Sequence, residues 1–283
     1  MTMRRGLLVL LAVSACGDGD SGPPPIATVT AKLGAIAVNN TSMFAIDTTD
    51  DTIIELGLDG TMIGKLPTVM KVTEIAAAGD IMGWVEVEGS HQIVQRRKAG
   101  VVETLATLTF TPHIVATTEG IFYSDTGIIA KWGDVGAERL ATPAAGSTLL
   151  GVDASFVYTL EGSSVQRYDR RMDMKEEVVA TTLGATVKDG YLAYRTADGV
   201  RIHDLFTKFD ALFGMPPASY ECKLLIAGRA VMCGKWRCLE SVTEELLDDP
   251  VTSYTSVGRD IYWTQTEGTK SKIFKTDAEE KLE

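Results

Sequence analysis

The chain has 283 residues, 45% of them hydrophobic and 23% charged, and carries a formal net charge of −11. That balance belongs to a globular protein and excludes both a disordered chain and one built from membrane spans. The acid excess, unrelieved by any Lys/Arg cluster, argues against nucleic acid as a partner, and solubility is its simplest use.

The first element is a basic head, Arg4 and Arg5, followed by an apolar run of about ten residues, too short to cross a bilayer. The run stops on Val13-Ser14-Ala15-Cys16. Gly17-Asp18-Gly19-Asp20-Ser21-Gly22 follows, ending in Pro23-Pro24-Pro25, with no side chain large enough to pack. Such a tract is a flexible tether stiffened by proline at its end. The segment resembles the lipobox of bacterial lipoproteins, against the plainer alternative of an ordinary signal peptide with Cys16 as a disulfide partner. The resemblance implies a signal peptide over 1–15, lipid on Cys16, a tether over 16–25 and a domain over 26–283. It also implies more than one acyl chain, which turns marginal membrane binding into a durable anchor. Cleavage there removes two arginines and no acid, deepening the charge from −11 to −13. Gly17 after the cysteine favours the outer over the inner membrane, by analogy with enterobacterial sorting. The expected address is the bacterial cell envelope, with the domain in the periplasm or at the cell surface.

The remainder repeats. A small or charged residue, then two or three apolar residues ending in an aromatic, recurs at Phe44, Met82, Phe122, Val157, Leu192, Met232 and Tyr262, in steps of 30 to 40 residues. That is the spacing of propeller blades. Each copy has a small apolar strand before the motif, such as Glu74-Ile75-Ala76-Ala77 or Leu224-Leu225-Ile226-Ala227. An alternating strand such as Ser164-Val165-Gln166-Arg167-Tyr168 comes after it, then a charged fourth such as Val101-Val102-Glu103-Thr104-Leu105. Small and apolar inside, charged outside, is the gradient of a four-stranded blade around an axis. The pattern predicts an all-β propeller, most simply of seven blades, with six and a degenerate appendage as the alternative.

Tyr262-Trp263-Thr264-Gln265 and Phe122-Tyr123-Ser124-Asp125 resemble the Tyr-Trp-Thr-Asp signature of YWTD/NHL-type propeller repeats. Ile54-Glu55-Leu56-Gly57-Leu58-Asp59-Gly60 resembles their third strand and hairpin turn. The resemblance implies the fold and not a receptor function, since function sits in sites grafted onto folds.

Closure follows from counting strands. The last copy has a third strand near Lys272–Lys275 but too little chain for a fourth, whereas Ile26–Leu33 is a strand without a blade. Pairing the two would close the ring and remove a free sheet edge. In the sixth copy, Cys233 ends the second strand and Cys238 begins the third, with Gly234-Lys235-Trp236-Arg237 between. A four-residue loop predicts a Cys233–Cys238 disulfide with Cys222 as the third thiol, although pairing through Cys222 stays open. The three cysteines lack a nearby histidine or a Cys-x-x-Cys pair, so zinc is not expected.

Catalytic chemistry has few candidates. His91 falls in a turn, His113 starts an inner strand on the same rim, and His203 lies in a third strand; solvated or packed histidines are the simpler reading. The acidic turns at Asp47–Asp51 and Glu244–Asp249 lack the alternating ligands and glycine of a calcium loop. No nucleophile elbow or phosphate loop appears, and no cofactor is expected. Trp84, Tyr123, Tyr158, Tyr194 and Trp263 read as packing between blades. The favoured function is a binding or scaffolding lipoprotein for an envelope protein or small ligand. The alternative is a propeller enzyme, of lyase or hydrolase type, acting on a small molecule or glycan in the central channel.

Overall fold

A computed structural model describes residues 23–279 apart from 126–127, 134–135, 173, 218–221, 240–241 and 248–250. Cys16, the expected signal peptide and most of the expected tether therefore lie outside the described residues, as do Asp248 and Asp249.

The described chain folds into seven four-stranded antiparallel sheets. Blades 1 to 6 span 33–67, 71–108, 114–141, 148–179, 184–214 and 224–245, each laid down in simple up-and-down order. Blade 7 takes three strands from 253–277 and its outer strand from Ala27–Val29. Consecutive inner strands touch one another around a full circle, blade 7 against blade 1 included. No helix occurs among the described residues.

The seven motif positions all fall on second strands, where both faces of the sheet are covered by neighbouring blades. That is why the middles of those strands are apolar, as in Ser42–Asp47, buried at every position. Trp84 and Phe44 share one cluster between blades 2 and 1, and Trp263 packs with Ala227 and Met232 of blade 6. Trp263 also stacks on Phe274, ring centroids 5.1 Å apart. Each aromatic so buried contributes roughly 2–3 kcal/mol. The indole of Trp84 donates to Glu86 at 2.7 Å, so this buried carboxylate is not left without a partner.

The predicted seam is present. Ala27 faces Ile273, Thr28 faces Lys272 and Val29 faces Ser271 in an antiparallel pair. The closing strand is shorter than the sequence suggested: Leu33 belongs to the inner strand of blade 1, Leu33–Val38. Between the two strands the chain turns, and the wholly buried Ser271 fixes that turn. Its hydroxyl accepts from Leu33 N at 3.0 Å and donates to the Ala31 carbonyl at 2.9 Å. Gly60 of the Asp59-Gly60 turn must be glycine: its φ is +86°, and a Cβ would lie 2.3 Å from the Ile26 carbonyl oxygen.

The disulfide differs from expectation. Cys222 is joined to Cys233, with Cα atoms 5.1 Å apart, and Cys238 is a free, buried thiol. The reason is register. Cys233 faces Trp236 across a two-residue turn, Gly234-Lys235, so Cys238 faces Val231 instead. Cys238 is thus diagonal to Cys233, at a spacing of about 7–8 Å that a disulfide cannot bridge. Cys222 lies two residues before Leu224, which itself faces Cys233, and this brings it within reach.

Candidate functional site

Every inner strand runs from one mouth of the central channel to the other, and each presents an unpaired backbone edge to the axis. Those edges need partners, and neighbouring blades supply them. Ile36 N donates to Ser253 Oγ at 3.3 Å, and Ile114 N donates to Glu74 Oε1 at 3.0 Å.

Glu74 defines the mouth where inner strands begin. Its other carboxylate oxygen lies 3.9 Å from His113 Nδ1, and its side chain keeps 30% of its surface exposed. Burial raises its pKa from the ordinary 4.5 to about 7, against the lowering effect of the Ile114 amide and of Lys223, which enters from blade 6. Burial likewise lowers the His113 pKa. Burial thus favours the uncharged form of both groups, a pairing able to exchange a proton with a small molecule.

The other mouth, where inner strands end, opens into a depression of about 540 Å³. Its walls are mostly small and neutral: Ala77, Ala78, Val115, Ala116, Thr117 and Gly151 among them. Lys188 is its cation. Lys188 Nζ crosses from blade 5 to blade 7, donating to Ser256 O at 3.0 Å and Ser256 Oγ at 2.7 Å. Ser256 Oγ donates in turn to the Ile226 carbonyl of blade 6 at 2.8 Å.

The histidines do not form one site. His91 is exposed at the start of the third strand of blade 2, and no hydrogen bond or ion pair joins it to His113. His203 stands beside Asp210 on the outer part of blade 5, Nδ1 to Oδ2 3.4 Å. In the acidic turns, Asp47 and Asp50 share Lys65 at 3.2 and 3.3 Å. Glu244 pairs with Arg237, and Glu245 with Lys235 at 2.7 Å. Trp84, Tyr123, Tyr158, Tyr194 and Trp263 are all buried between blades. Glu74, Lys188 and Ser256 carried no motif. Lys188 ends its inner strand, where a lone charge in sequence reads as a solvated turn residue, and Glu74 lies within the inner strand of blade 2, where it reads as an ordinary strand residue.

The sequence matches no protein-family model and no curated protein. Solved structures do match in fold. Virginiamycin B lyase from Staphylococcus aureus aligns with a TM-score of 0.62 at 16% identity, over 87% of this chain and 95% of that one. BamB from Moraxella catarrhalis aligns with a TM-score of 0.53 at 11% identity, over 88% and 98%. The β-propeller domain of the Trilobed protease from Pyrococcus furiosus aligns with a TM-score of 0.61 at 9% identity, over 89% and 97%. That domain is described as having an open velcro topology, whereas here Ala27–Val29 closes the last blade. At such identities the likeness is one of fold.

Proposed function

We propose that this propeller is the binding head of an envelope lipoprotein, tethered through lipid on Cys16 and presenting the Lys188 mouth to its partner. The observation that carries the reading is the 540 Å³ receptacle, walled mostly by small and neutral side chains with Lys188 and Asp189 as its charged ones, opening at one end of a closed ring. A concave, preformed site with few polar groups is how proteins hold small ligands and projecting segments of partners. The short, proline-stiffened tract after Cys16 would hold the head close to the membrane. A photo-crosslinking residue at Asn40, on the receptacle rim, should capture the partner in intact cells. One at Val242, on the outer strand of blade 6, should not; equal capture from both positions would sink the assignment.

A second reading, chemistry on a small molecule or glycan, rests on Glu74 and His113 at the opposite mouth, 3.9 Å apart, with burial raising the pKa of the acid and lowering that of the imidazole. It requires turnover that Glu74→Gln abolishes while the fold is kept.

A further inference from the structure

Lys188 ends the inner strand Gly184–Lys188, and its side chain reaches past blade 6 to blade 7. An ammonium carries three donors. Two are used, both on Ser256. The third has no acceptor among the described residues, and none of those residues places a carboxylate in ion-pair contact with Nζ. Asp189, the next residue and also on the receptacle wall, acts on it only through space.

The direction of these bonds matters. The serine hydroxyl has one proton, and it is committed to the Ile226 carbonyl. Lysine gives to serine and serine gives to carbonyl, so Ser256 is not arranged as a nucleophile with Lys188 as its base. What remains is a cation in a partly buried setting, at the wall of an open receptacle, with no counter-charge in contact. Burial disfavours its charged form and lowers its pKa. Such a charge is normally compensated by a partner. The protein's acidity does not forbid an anionic one, because charges beyond about 8 Å are largely screened at physiological salt.

We infer that the occupant of this receptacle carries an anionic group, a carboxylate or a phosphate, which accepts the third N–H of Lys188. The inference rests on the receptacle reading above and names the chemistry of what enters it. Asn40, Thr117 and Thr118, also on the wall, offer neutral hydrogen-bonding groups around that anchor.

Calorimetric titration of the mature chain with sodium phosphate and with sodium acetate, at ionic strength held constant with sodium chloride, tests it. At least one anion should bind saturably, and which one identifies the group. Lys188→Met should weaken that binding at least tenfold, while Lys71→Met, which removes an exposed cation at the far end of an inner strand, should retain it. If Lys188→Met does not fold, the Nζ resonance of 15N-lysine-labelled wild type provides the readout and should shift as the anion is added. Absence of saturable binding by either anion, equal binding by Lys188→Met, or an unmoved Nζ resonance would overturn the inference. A folded Lys188→Met protein that still crosslinks from Asn40 as wild type does would overturn it too, while leaving the receptacle reading in place.

Discussion

Ala27 lies directly opposite Ile273, and Ile26 N donates to the Ile273 carbonyl at 2.8 Å. Two residues almost a whole chain apart thus lie on neighbouring strands of one sheet, and the ring is held shut by three residues and the hydrogen bonds they make. Removing residues through Val29 should uncover the edge of Lys270–Asp277 and delete Val29 from the core between blades 7 and 1. We expect a loss of about 3 kcal/mol or more, with aggregation through the freed edge. Thermal melting with light scattering checks this; an unchanged, monodisperse melt would contradict the closure.

The Cys222–Cys233 bond closes a loop of 11 residues. Its removal by Cys222→Ser should cost about 3 kcal/mol by the loop-entropy relation. Cys238→Ala removes only a buried sulfur and should cost less, about 1 kcal/mol. Non-reducing peptide mapping should return a linked pair containing Cys222 and Cys233. Burial raises the Cys238 thiol pKa, so alkylation of the native protein should leave it unmodified.

Glu74 makes stability depend on pH in a defined direction. Its pKa is about 7 in the fold against an ordinary 4.5, so between those values the native state holds a proton that the unfolded chain has released. Its contribution is therefore present in full below about pH 4.5 and lost as pH rises through about 7. Glu74→Gln should flatten this segment of the melting-temperature profile and raise the melting temperature at pH 8 relative to wild type. A profile in the variant that falls as steeply as wild type would assign the dependence elsewhere.

Gly83, in the second strand of blade 2, faces Ile121 of blade 3, and a Cβ there would lie 2.6 Å from Ile121 Cδ1. Gly83→Ala should destabilise by about 1–3 kcal/mol through overpacking between blades. Ile121→Val removes that Cδ1, so the double variant should recover much of the loss. A double-mutant cycle with additive costs would show that the two residues do not compete for space.

The architecture was legible because it is written at a short range and repeated. An apolar second strand between a small inner and an alternating third strand recurs in every blade, so even degenerate copies such as Ala230–Cys233 could be aligned. The seam was legible for a different reason, an unassigned strand at one end matching a missing one at the other. The cysteine pairing was not, because it depends on whether the hairpin holds two residues or four. Gly234, with φ +60°, settles a tight turn and places Cys238 two pairs along the strand from Cys233. Glu74 could be placed on an inner strand, but its burial against Ile114 belongs to the neighbouring blade and no local pattern encodes it. Lys188 was hidden more completely. Its partner Ser256 lies 68 residues away, and only the curvature of the ring brings the two together.

The shared blade also sets a clock. Ala27–Val29 leaves the ribosome before blades 1 to 6, and its partner Lys270–Asp277 follows only after them. At ordinary synthesis rates of about 5–20 residues per second, the first strand waits roughly 12–50 s for it. Blades 1 to 6 are each complete from consecutive sequence and can form in order during that wait, whereas the ring cannot lock until Lys270–Asp277 has been made. Protease resistance of the whole domain should thus arrive in one step once Lys270–Asp277 emerges, and any chain stopped before Lys270 would leave its own first strand searching for an edge.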